Sequence, residues 1–353
     1  MKIIGFLLNR FGHGLLILLG VVVAIFFLFA VLPGDPVALL AGQRNDLATR
    51  EAITAELGLD KPLPEQLLYY LNDVSPLSVH EATAANQEKY SYTPLIKLGQ
   101  KALFVWKTPY LRRSFQSNKK VTAILLDHLT GTLWLAGAAM FIATVIGITF
   151  GILAALKPHS FLDHLLISTS VLGISVPSFV AAILIAITFG FYWSHLTGLS
   201  LTGQLYEIDA FTGKHFMLQN LILPAVALGI RPLAVITQLT RSSMIEVLSQ
   251  DYMRTARAKG LSGYRVVVGH GLKNALNPVI TAVSGWLASL MAGAFFIEYI
   301  FNWKGIGAVT IHAVENLDFP VVMGATLFIA FLFVLINIFV DVLYALIDPR
   351  VKL

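Results

Sequence analysis

The sequence predicts an all-α integral membrane protein with six transmembrane helices. Hydrophobic residues make up 56% of the 353 residues and charged residues only 13%, whereas about a quarter of a soluble domain is charged. A helix that crosses the hydrocarbon core of a bilayer needs roughly 20 apolar residues. Six segments are long and apolar enough: residues 14–32, 133–156, 165–193, 220–239, 278–297 and 319–340.

The first apolar segment is interpreted as a retained membrane anchor. Lys2 and Arg10 give it the basic start of a signal peptide, but the apolar run is too long and no A-x-A cleavage site follows it. The chain is therefore divided into an anchor (1–32), a large extracytoplasmic loop region (33–128), a core of five spans (129–348) that includes a loop at about 243–277, and a short tail (349–353).

Basic residues predict the orientation of the spans. Cytoplasmic loops carry an excess of Lys and Arg, whereas long loops cross the membrane largely regardless of charge. With the N-terminus inside, the cytoplasmic parts hold eleven Lys and Arg, and the two short outer loops hold Lys214 and Lys304 only. We therefore expect both termini and the stretch 241–277 in the cytoplasm, and residues 33–128 outside. The same bias accounts for the basic pI of about 9.3 without nucleic acid as a partner.

Three segments of the outer region are assigned from their patterns. Residues 51–71 have helical periodicity, with Gly58 as a stop signal and Pro62 and Pro64 shaping a turn. The polar stretch 72–93 is predicted to be a loop. Residues 94–107 are predicted to form an amphipathic helix, which lies either on the membrane surface or against the small outer domain.

Missing residues and motifs exclude several activities. The chain has no cysteine, which excludes disulfides, a thiolate metal site and a cysteine nucleophile. It has no G-x-x-x-x-G-K-[ST] phosphate loop, no H-E-x-x-H and no G-x-S-x-G. The spans also lack the acidic relay expected of a proton-coupled pump. We therefore expect no catalytic residue, no metal site, no bound cofactor and no ATP hydrolysis by this chain.

Small residues and a proline mark two of the apolar segments. Gly147 and Gly151 form a G-x-x-x-G pair, which lets two helices approach closely. Pro177 removes a backbone hydrogen bond, so we expect a kinked helix there. Kinked helices often line pathways, but the hydroxyls of Ser175 and Ser178 allow a plainer interpretation in which they satisfy the freed carbonyls.

Arg231 is the one cation deep within a predicted span. Such a residue is costly in hydrocarbon and is by default functional, which makes it a candidate for a water-filled pathway or for a contact with a partner subunit. The alternative is a position near the interface, where its long side chain reaches water. Glu298 and Asp341 lie near the ends of spans, where we expect them to be solvated.

The stretch DYMRTARAKGLSGYRVVVGHGLKNALNP (251–278) is compact and basic, with five basic side chains and one acidic one. Ser249 is predicted to cap a short helix that runs to Lys259, and Gly260 suits the left-handed position after it. Ser262 is predicted to cap a second helix that runs towards Asn277, where Pro278 begins the fifth span.

Tyr252 and Ala256 fall one turn apart on this short helix. An aromatic side chain beside small residues predicts a face that enters a groove of a partner protein. The basic residues then point elsewhere, towards acidic partner groups or lipid headgroups. The plainer alternative is an ordinary positive-inside loop.

Ordered motifs along nearly the whole chain resemble one family. RTARAKG (254–260) looks like the E-A-A-x-x-x-G loop of bacterial ABC importer permeases, in the form used by the dipeptide, oligopeptide and nickel group. The other similar motifs are LPGDP (32–36), ELGLDKPLPEQ (56–66), LGISVPSF (172–179), LTRSSMIEVLSQDYMRTARAKGL (239–261), NALNPVIT (274–281), EYIFNWKGIG (298–307), DFPVVMGA (318–325) and DVLYALIDPR (341–350). The chain resembles the first permease of a pair, the one with a large outer loop.

The sequence departs from the family pattern in four places. The downstream I-x-L-P spacing of the general motif does not fit here, so nothing is carried over beyond Leu261. Arg254 and Thr255 stand where the general motif has Glu and its first Ala, as is common in this subgroup. Lys304 stands where a proline usually precedes G-I-G. The stretch from about 73 to 107 resembles an insertion, so the resemblance assigns it no role.

The resemblance implies a multi-pass protein of the bacterial inner membrane that forms half of a pathway for peptides, with nickel complexes or other small solutes as alternatives. The implied partners are a second homologous permease, two ABC ATPases that use ATP and Mg, an extracytoplasmic substrate-binding protein and membrane lipid. Between the fourth and fifth spans, the resemblance implies a coupling helix that contacts the ATPases through Tyr252, Arg254, Thr255, Ala256, Arg257, Lys259, Gly260 and Leu261.

Two other classes of function fit the sequence less well. A stand-alone secondary transporter needs ion-binding residues within the membrane, and these are scarce in the predicted spans. A membrane-embedded enzyme needs paired polar catalytic groups at one depth, and the spans hold none.

Overall fold

The computed structural model describes residues 2–31, 37, 51, 54, 58–99, 101–209 and 213–347. The LPGDP motif at 32–36, most of the predicted helix before Gly58 and the tail at 349–353 lie outside the described residues. The chain divides into two compact units, residues 1–127 with 312–331 and residues 128–311 with 332–353. The described part is mostly helical but holds two small β-sheets, so the prediction of an all-α fold is corrected to a mostly helical one.

The first unit begins with α1 (Lys2–Val31) and α2 (Leu63–Val74). Tyr70 of α2 stacks on Phe26 of α1, with ring centroids 6.1 Å apart. The predicted turn lies at residues 58–61, directly before Pro62, and does not extend to Pro64. Pro64 lies in the first turn of α2, where a missing N–H needs no partner. Gly58 is left-handed with φ of +69°, as its stop signal requires.

A three-stranded antiparallel sheet follows α2. Its strands are β1 (Leu77–Glu81), β2 (Thr93–Leu98) and β3 (Ala102–Trp106), in the order β1-β3-β2, and α3 (Ala84–Tyr90) connects β1 to β2. The loop predicted for 72–93 and the amphipathic helix predicted for 94–107 are therefore both wrong. Residues 94–107 form a hairpin and not a helix because Gly99, with φ of +72°, supplies a turn between two β-forming runs.

A polar and aromatic cluster lies beneath this sheet. His80 stacks on Tyr90 at a centroid distance of 4.1 Å, and the Tyr90 hydroxyl donates to the Asp73 carboxylate at 2.8 Å. The Lys107 amine is buried and donates to the carbonyl oxygen of Asp73. Burial lowers the pKa of Lys107 to about 8. These contacts join the end of α2 to the sheet.

The second unit is built from helices and one hairpin. It contains residues 128–156 of α4 (Val121–Leu156), residues 306–311 of α12 (Ile306–Glu315) and the part of α13 (Phe319–Ile347) from residue 332. Its other helices are α5 (Phe161–Ser175), α6 (Ser178–Ile187), α7 (Ser194–Thr197), α8 (Gln219–Leu248), α9 (Asp251–Ala258), α10 (Lys273–Gly293) and α11 (Phe295–Ile300). Two π-helices lie at Thr188–Tyr192 and Arg265–Leu272, and β4 (Tyr206–Asp209) pairs with β5 (Gly213–Phe216).

Four helices in the described part of the chain are long and apolar enough to cross a membrane: α1, α4, α8 and α13. Helix α5 and the segment Ser178–Tyr192 count as a fifth span if the bent pair, which meets at 110°, is one span. Helix α10 starts at Lys273, earlier than predicted, and holds Pro278 inside it. It is not among the described helices that pass by length and composition, so the count of six spans stays a prediction.

Helix α8 occupies the centre of the second unit, where it packs against α5, α6, α10, α11 and the π-helix Arg265–Leu272. Glycines allow its closest contacts. A Cβ added to Gly147 of α4 would lie 2.8 Å from Ile236 Cγ2, and one added to Gly151 would lie 2.8 Å from the carbonyl oxygen of Thr237. The G-x-x-x-G face of α4 therefore lies directly against α8.

We predict that Gly151→Ala destabilises the protein while Gly137→Ala does not. The added methyl at Gly151 meets the side chain of Thr240 as well as the α8 backbone, whereas nothing lies within 4 Å of a Cβ at Gly137 on the same helix. Overpacking of this kind costs about 1–3 kcal/mol, and alanine at Gly137 gains up to about 1 kcal/mol of helix propensity. The measurement is thermal unfolding in detergent. Equal melting temperatures for the two variants would contradict the packing described.

Candidate functional site

The short cytoplasmic-loop helix predicted from the sequence is α9. Gln250, with extended backbone (φ −69°, ψ 151°), precedes it, and Ser249 does not cap it. Ser249 is still helical, so its hydroxyl turns back and donates to the Glu246 carbonyl oxygen of α8 at 2.7 Å. The predicted cap at Ser249 is therefore wrong. The end of the helix is confirmed: Gly260 is left-handed, with φ of +77°.

One face of α9 is buried against the chain's own residues. Met253 and Ala256, three positions apart, form a buried cluster with Val266, and Leu248 and Leu261 pack around it. The expectation that Ala256 faces a partner is therefore wrong. Spacing alone could not identify the buried face. Ala256 lies one helical turn from both Met253 (i, i+3) and Tyr252 (i, i+4), and only Met253 is buried with it.

Tyr252 joins α9 to the start of α10. Its hydroxyl accepts a hydrogen bond from the Asn274 side-chain nitrogen at 3.0 Å, and that nitrogen also lies 3.2 Å from the His270 carbonyl oxygen. The Tyr252 ring remains 42% exposed. It therefore presents a partly free aromatic face while its hydroxyl fixes its direction.

The outer face of α9 is basic. Leu261 is half-buried, whereas the remaining residues predicted to contact a partner are exposed: Arg254, Thr255, Arg257, Lys259 and Gly260. The Arg254 guanidinium lies 3.6 Å from the Asp251 carboxylate, and both side chains are largely exposed. Such a surface pair contributes about 0–1 kcal/mol, so Arg254 is held only weakly. The face can therefore bind acidic groups without first breaking a strong contact.

Pro177 produces a full break in the helical path instead of the predicted kink. Helix α5 ends at Ser175, Val176 is extended, and α6 begins at Ser178 after Pro177, because a residue before proline disfavours helical backbone. The Ser175 hydroxyl donates to the Val171 carbonyl oxygen at 3.2 Å. This bond lies within α5 and does not reach the Gly173 carbonyl, which is the one that Pro177 leaves without a helical donor, so it does not test the plainer interpretation of Ser175 and Ser178.

Arg231 lies on the exposed surface of α8, directly before Pro232, and the helix continues through this proline. Within the described ranges, no group of three His, Cys, Asp or Glu residues is placed to hold a metal ion. The structure thus brings Tyr252 and the basic residues together at α9, and it places Arg231 and Pro177 elsewhere in the second unit.

Two family models match the sequence. The model described as the binding-protein-dependent transport system inner membrane component covers residues 147–353, and its N-terminal counterpart covers residues 3–93. The chain belongs to this permease family. A permease component of this kind is a membrane subunit and is not itself an enzyme.

Named relatives match the permease from end to end. It is 35% identical over 368 residues to the dipeptide transport system permease protein DppB of Escherichia coli (strain K12), with 98% of both chains covered. It is 36% identical over 371 residues to the di/tripeptide transport system permease protein DppB of Pseudomonas aeruginosa (strain UCBPP-PA14), with 99% of both chains covered. The resemblance to ABC importer permeases of the peptide group is therefore confirmed.

Glu298 of the permease is buried, so the expectation that it is solvated is wrong. Its side chain is 0% exposed, the Thr132 hydroxyl donates to Oε1 at 2.7 Å, and the Ala308 amide donates to Oε2 at 3.1 Å. Gly305 and Gly307 leave the space that the carboxylate fills. Glu298 was predicted to be solvated because it lies near the end of a span. The glycine-rich turn after it indicates a buried carboxylate instead, since such a turn supplies free backbone amides.

The Glu298 network fixes one end of α4 to the turn between α11 and α12. Thr132 of α4 also accepts a hydrogen bond from the Ile306 amide at 2.9 Å. The Trp303 indole nitrogen donates to the Gly131 carbonyl oxygen at 2.9 Å. Because the donors and acceptors satisfy each other, this buried polar group is compatible with an apolar core. The EYIFNWKGIG motif thus has a structural role in the permease.

Proposed function

We propose that this permease forms one half of the translocation pathway of an ATP-driven peptide importer in the bacterial inner membrane. The observation that carries this proposal is the match, over at least 98% of each chain, to permeases named for dipeptide and di/tripeptide transport. The family description, which names a binding-protein-dependent system, supports an extracytoplasmic protein that delivers the peptide.

The chain itself contributes shape and movement and no catalytic group. Two ATPase partners bind and hydrolyse ATP with Mg, and their closure acts on the exposed basic face of α9. A ligand or partner shifts a protein between two arrangements only if it binds one of them better. The ATPases therefore have to favour one position of α9, and the rest of the permease has to follow that position.

A second, homologous permease completes the pathway in this proposal, and lipid surrounds the pair. Arg231 supports such an arrangement, because an exposed cation in a span is stable only beside water or a partner group. We assign Arg231 to the pathway or to the contact with the second permease. Nucleic acid has no part in this function.

The proposed topology has six spans, with both termini in the cytoplasm. Helix α10 supplies most of the fifth span, and α11 follows it directly after Ala294. The polar first turns of α10 then lie at the cytoplasmic surface beside α9. Helix α5 and the segment Ser178–Tyr192 together form the third, broken span.

We predict that Arg257→Glu releases the ATPases from the permease. Arg257 is exposed on the outer face of α9, so charge reversal leaves the chain's own packing intact and places like charges in the contact. A loss of about tenfold in affinity corresponds to about 1.4 kcal/mol, and a like-charge contact costs several kcal/mol. The measurement is co-purification of ATPase subunits with the tagged permease.

Two variants serve as controls for the Arg257→Glu experiment. Lys119→Glu reverses an exposed charge in the first unit, and it should retain the ATPases fully. Ala256→Glu forces a carboxylate into the buried cluster with Met253, so it should lower both permease level and ATPase binding. If Arg257→Glu retains as much ATPase as the wild type, α9 is not the coupling helix.

We also predict the orientation of two loops. The chain has no cysteine, so single cysteines can be labelled without background. In spheroplasts, an impermeant thiol reagent should label Ser117→Cys at once and should label Ser262→Cys only after the membrane is permeabilised. Both residues are exposed, so burial does not limit either reaction. The opposite labelling pattern would reverse the topology.

A further inference from the structure

An ion pair between a half-buried arginine and a buried aspartate joins α5 to α8. The Arg241 guanidinium donates from Nε to Asp163 Oδ1 at 2.5 Å and from Nη2 to Asp163 Oδ2 at 2.6 Å. The Asp163 side chain is only 3% exposed. A two-pronged bond of this kind fixes both the distance and the relative orientation of its partners. The sequence pattern gave no indication of it, because the two residues are far apart in the chain.

The same carboxylate also fixes the turn that connects α4 to α5. Asp163 Oδ2 accepts a hydrogen bond from the His159 amide at 2.8 Å, and the Asp163 amide donates to the Ser160 hydroxyl at 3.2 Å. His159 is held in left-handed backbone, with φ of +61°. An acidic side chain in the first turn also suits the positive end of a helix. Arg241 therefore holds the start of α5 and the turn before it together.

Helices α5 and α8 run antiparallel and are also in contact at the far end of α5. Gly173 lies against Ile230, with no room there for a Cβ atom. From Asp163 to Gly173 is about 15 Å along α5, and from Arg241 back to Ile230 is about 16 Å along α8, at 1.5 Å per residue. Two fixed points at matching separations hold the pair in register.

The end of α8 beyond Arg241 is packed into the base of α9. Met244 of α8 forms a buried cluster with Ala155 and Ala275, and Leu248 packs against this cluster as well as against the cluster of Met253 on α9. A displacement of α9 is therefore passed to α8. Asp163 in turn connects α8 to α5, and α5 ends at the break before Pro177.

We infer that Asp163 and Arg241 are positioning residues, which carry the movement of α9 to the broken third span so that ATP hydrolysis is coupled to transport. This inference rests on the proposed function. An apolar contact would tolerate sliding of one helix along the other, whereas a displaced ion pair leaves an unpaired buried charge, which is strongly unfavourable. The pair therefore makes α5 follow α8 and does not merely stabilise the bundle.

The test uses the complete transporter, reconstituted in vesicles, with uptake of a labelled dipeptide and ATP hydrolysis measured on the same preparation. In Arg241→Lys the charge remains but the two-pronged bond is lost. We expect this variant to assemble normally, to hydrolyse ATP at the wild-type rate within about twofold, and to import about tenfold less dipeptide per ATP. Asp163→Asn should lower the same ratio further.

Two further variants separate coupling from stability. Lys157→Gln removes an exposed charge from the neighbouring turn, and it should leave dipeptide uptake per ATP unchanged. The double variant Asp163→Arg with Arg241→Asp restores a pair of opposite charges and should recover part of the lost ratio. Such recovery is not expected if either residue acts alone.

The results distinguish failure of this inference from failure of the proposed function. If the wild-type complex imports dipeptide with ATP but Arg241→Lys keeps the normal ratio of uptake to hydrolysis, the positioning role is wrong. A parallel loss of uptake, hydrolysis and assembly in Arg241→Lys also overturns it, since the pair is then purely structural. If the wild-type complex shows no ATP-dependent uptake of any peptide, the proposed function itself fails.

Discussion

Helix α8 packs closely against five neighbouring elements of the second unit, and these contacts determine how the unit is assembled. In a lipid environment helices gain little from apolar contact alone, so close packing of small residues and satisfied polar groups hold them together. Glycines at Gly147, Gly151 and Gly173 bring α4 and α5 directly onto α8. At Gly229 the backbone of α8 itself approaches the Ala139 carbonyl oxygen of α4. Each of these positions excludes a side chain.

This central position gives α8 two roles at once. It is the helix against which its neighbours are fixed, and its end leads directly into α9, where the exposed basic residues lie. A helix that is packed within a bundle and ends beside an exposed surface suits a protein in which binding at that surface alters the arrangement of the bundle. The break at Pro177 offers a place where such a change can occur without disrupting packed helix.

The other end of the bundle is built differently. There the Glu298 carboxylate, the Thr132 hydroxyl and the amides of the glycine-rich turn satisfy one another. Such a network is favourable only when every member is paired, and it then specifies one arrangement. The second unit therefore has a tightly specified region around Glu298 and a second region around Asp163, where a charge pair joins α5 to α8.

The sequence predicted the helical membrane character, the short helix α9 and the left-handed Gly260, because long apolar runs and helix-stop glycines are local signals. It failed at residues 72–107, where the first strand lies within a polar stretch and the other two are short apolar runs that fit a helix as well as a strand. The inward turn of Ala256 and the burial of Glu298 also escaped it, because both depend on contacts with residues distant in sequence. For the same reason, no pattern brought Asp163 and Arg241 together.

Family membership was accessible from ordered motifs spread over the whole chain, and RTARAKG was the most informative of them. The motifs did not show which residues of a motif are buried in the fold and which are exposed to a partner. DYMRTARAKG reads as one basic helix, but the fold divides it into a buried face around Met253 and an exposed face around Arg257. Only the second face is available to a partner.

The proposed function requires this permease to move peptides at the expense of ATP and not of an ion gradient. Its most direct test is dipeptide uptake by vesicles that contain the purified permease pair and its ATPases, with the substrate-binding protein on the extracytoplasmic side. The account predicts uptake that requires ATP on the side of α9 and that persists when ionophores abolish all ion gradients. Uptake that continues without ATP and stops with ionophores would contradict it.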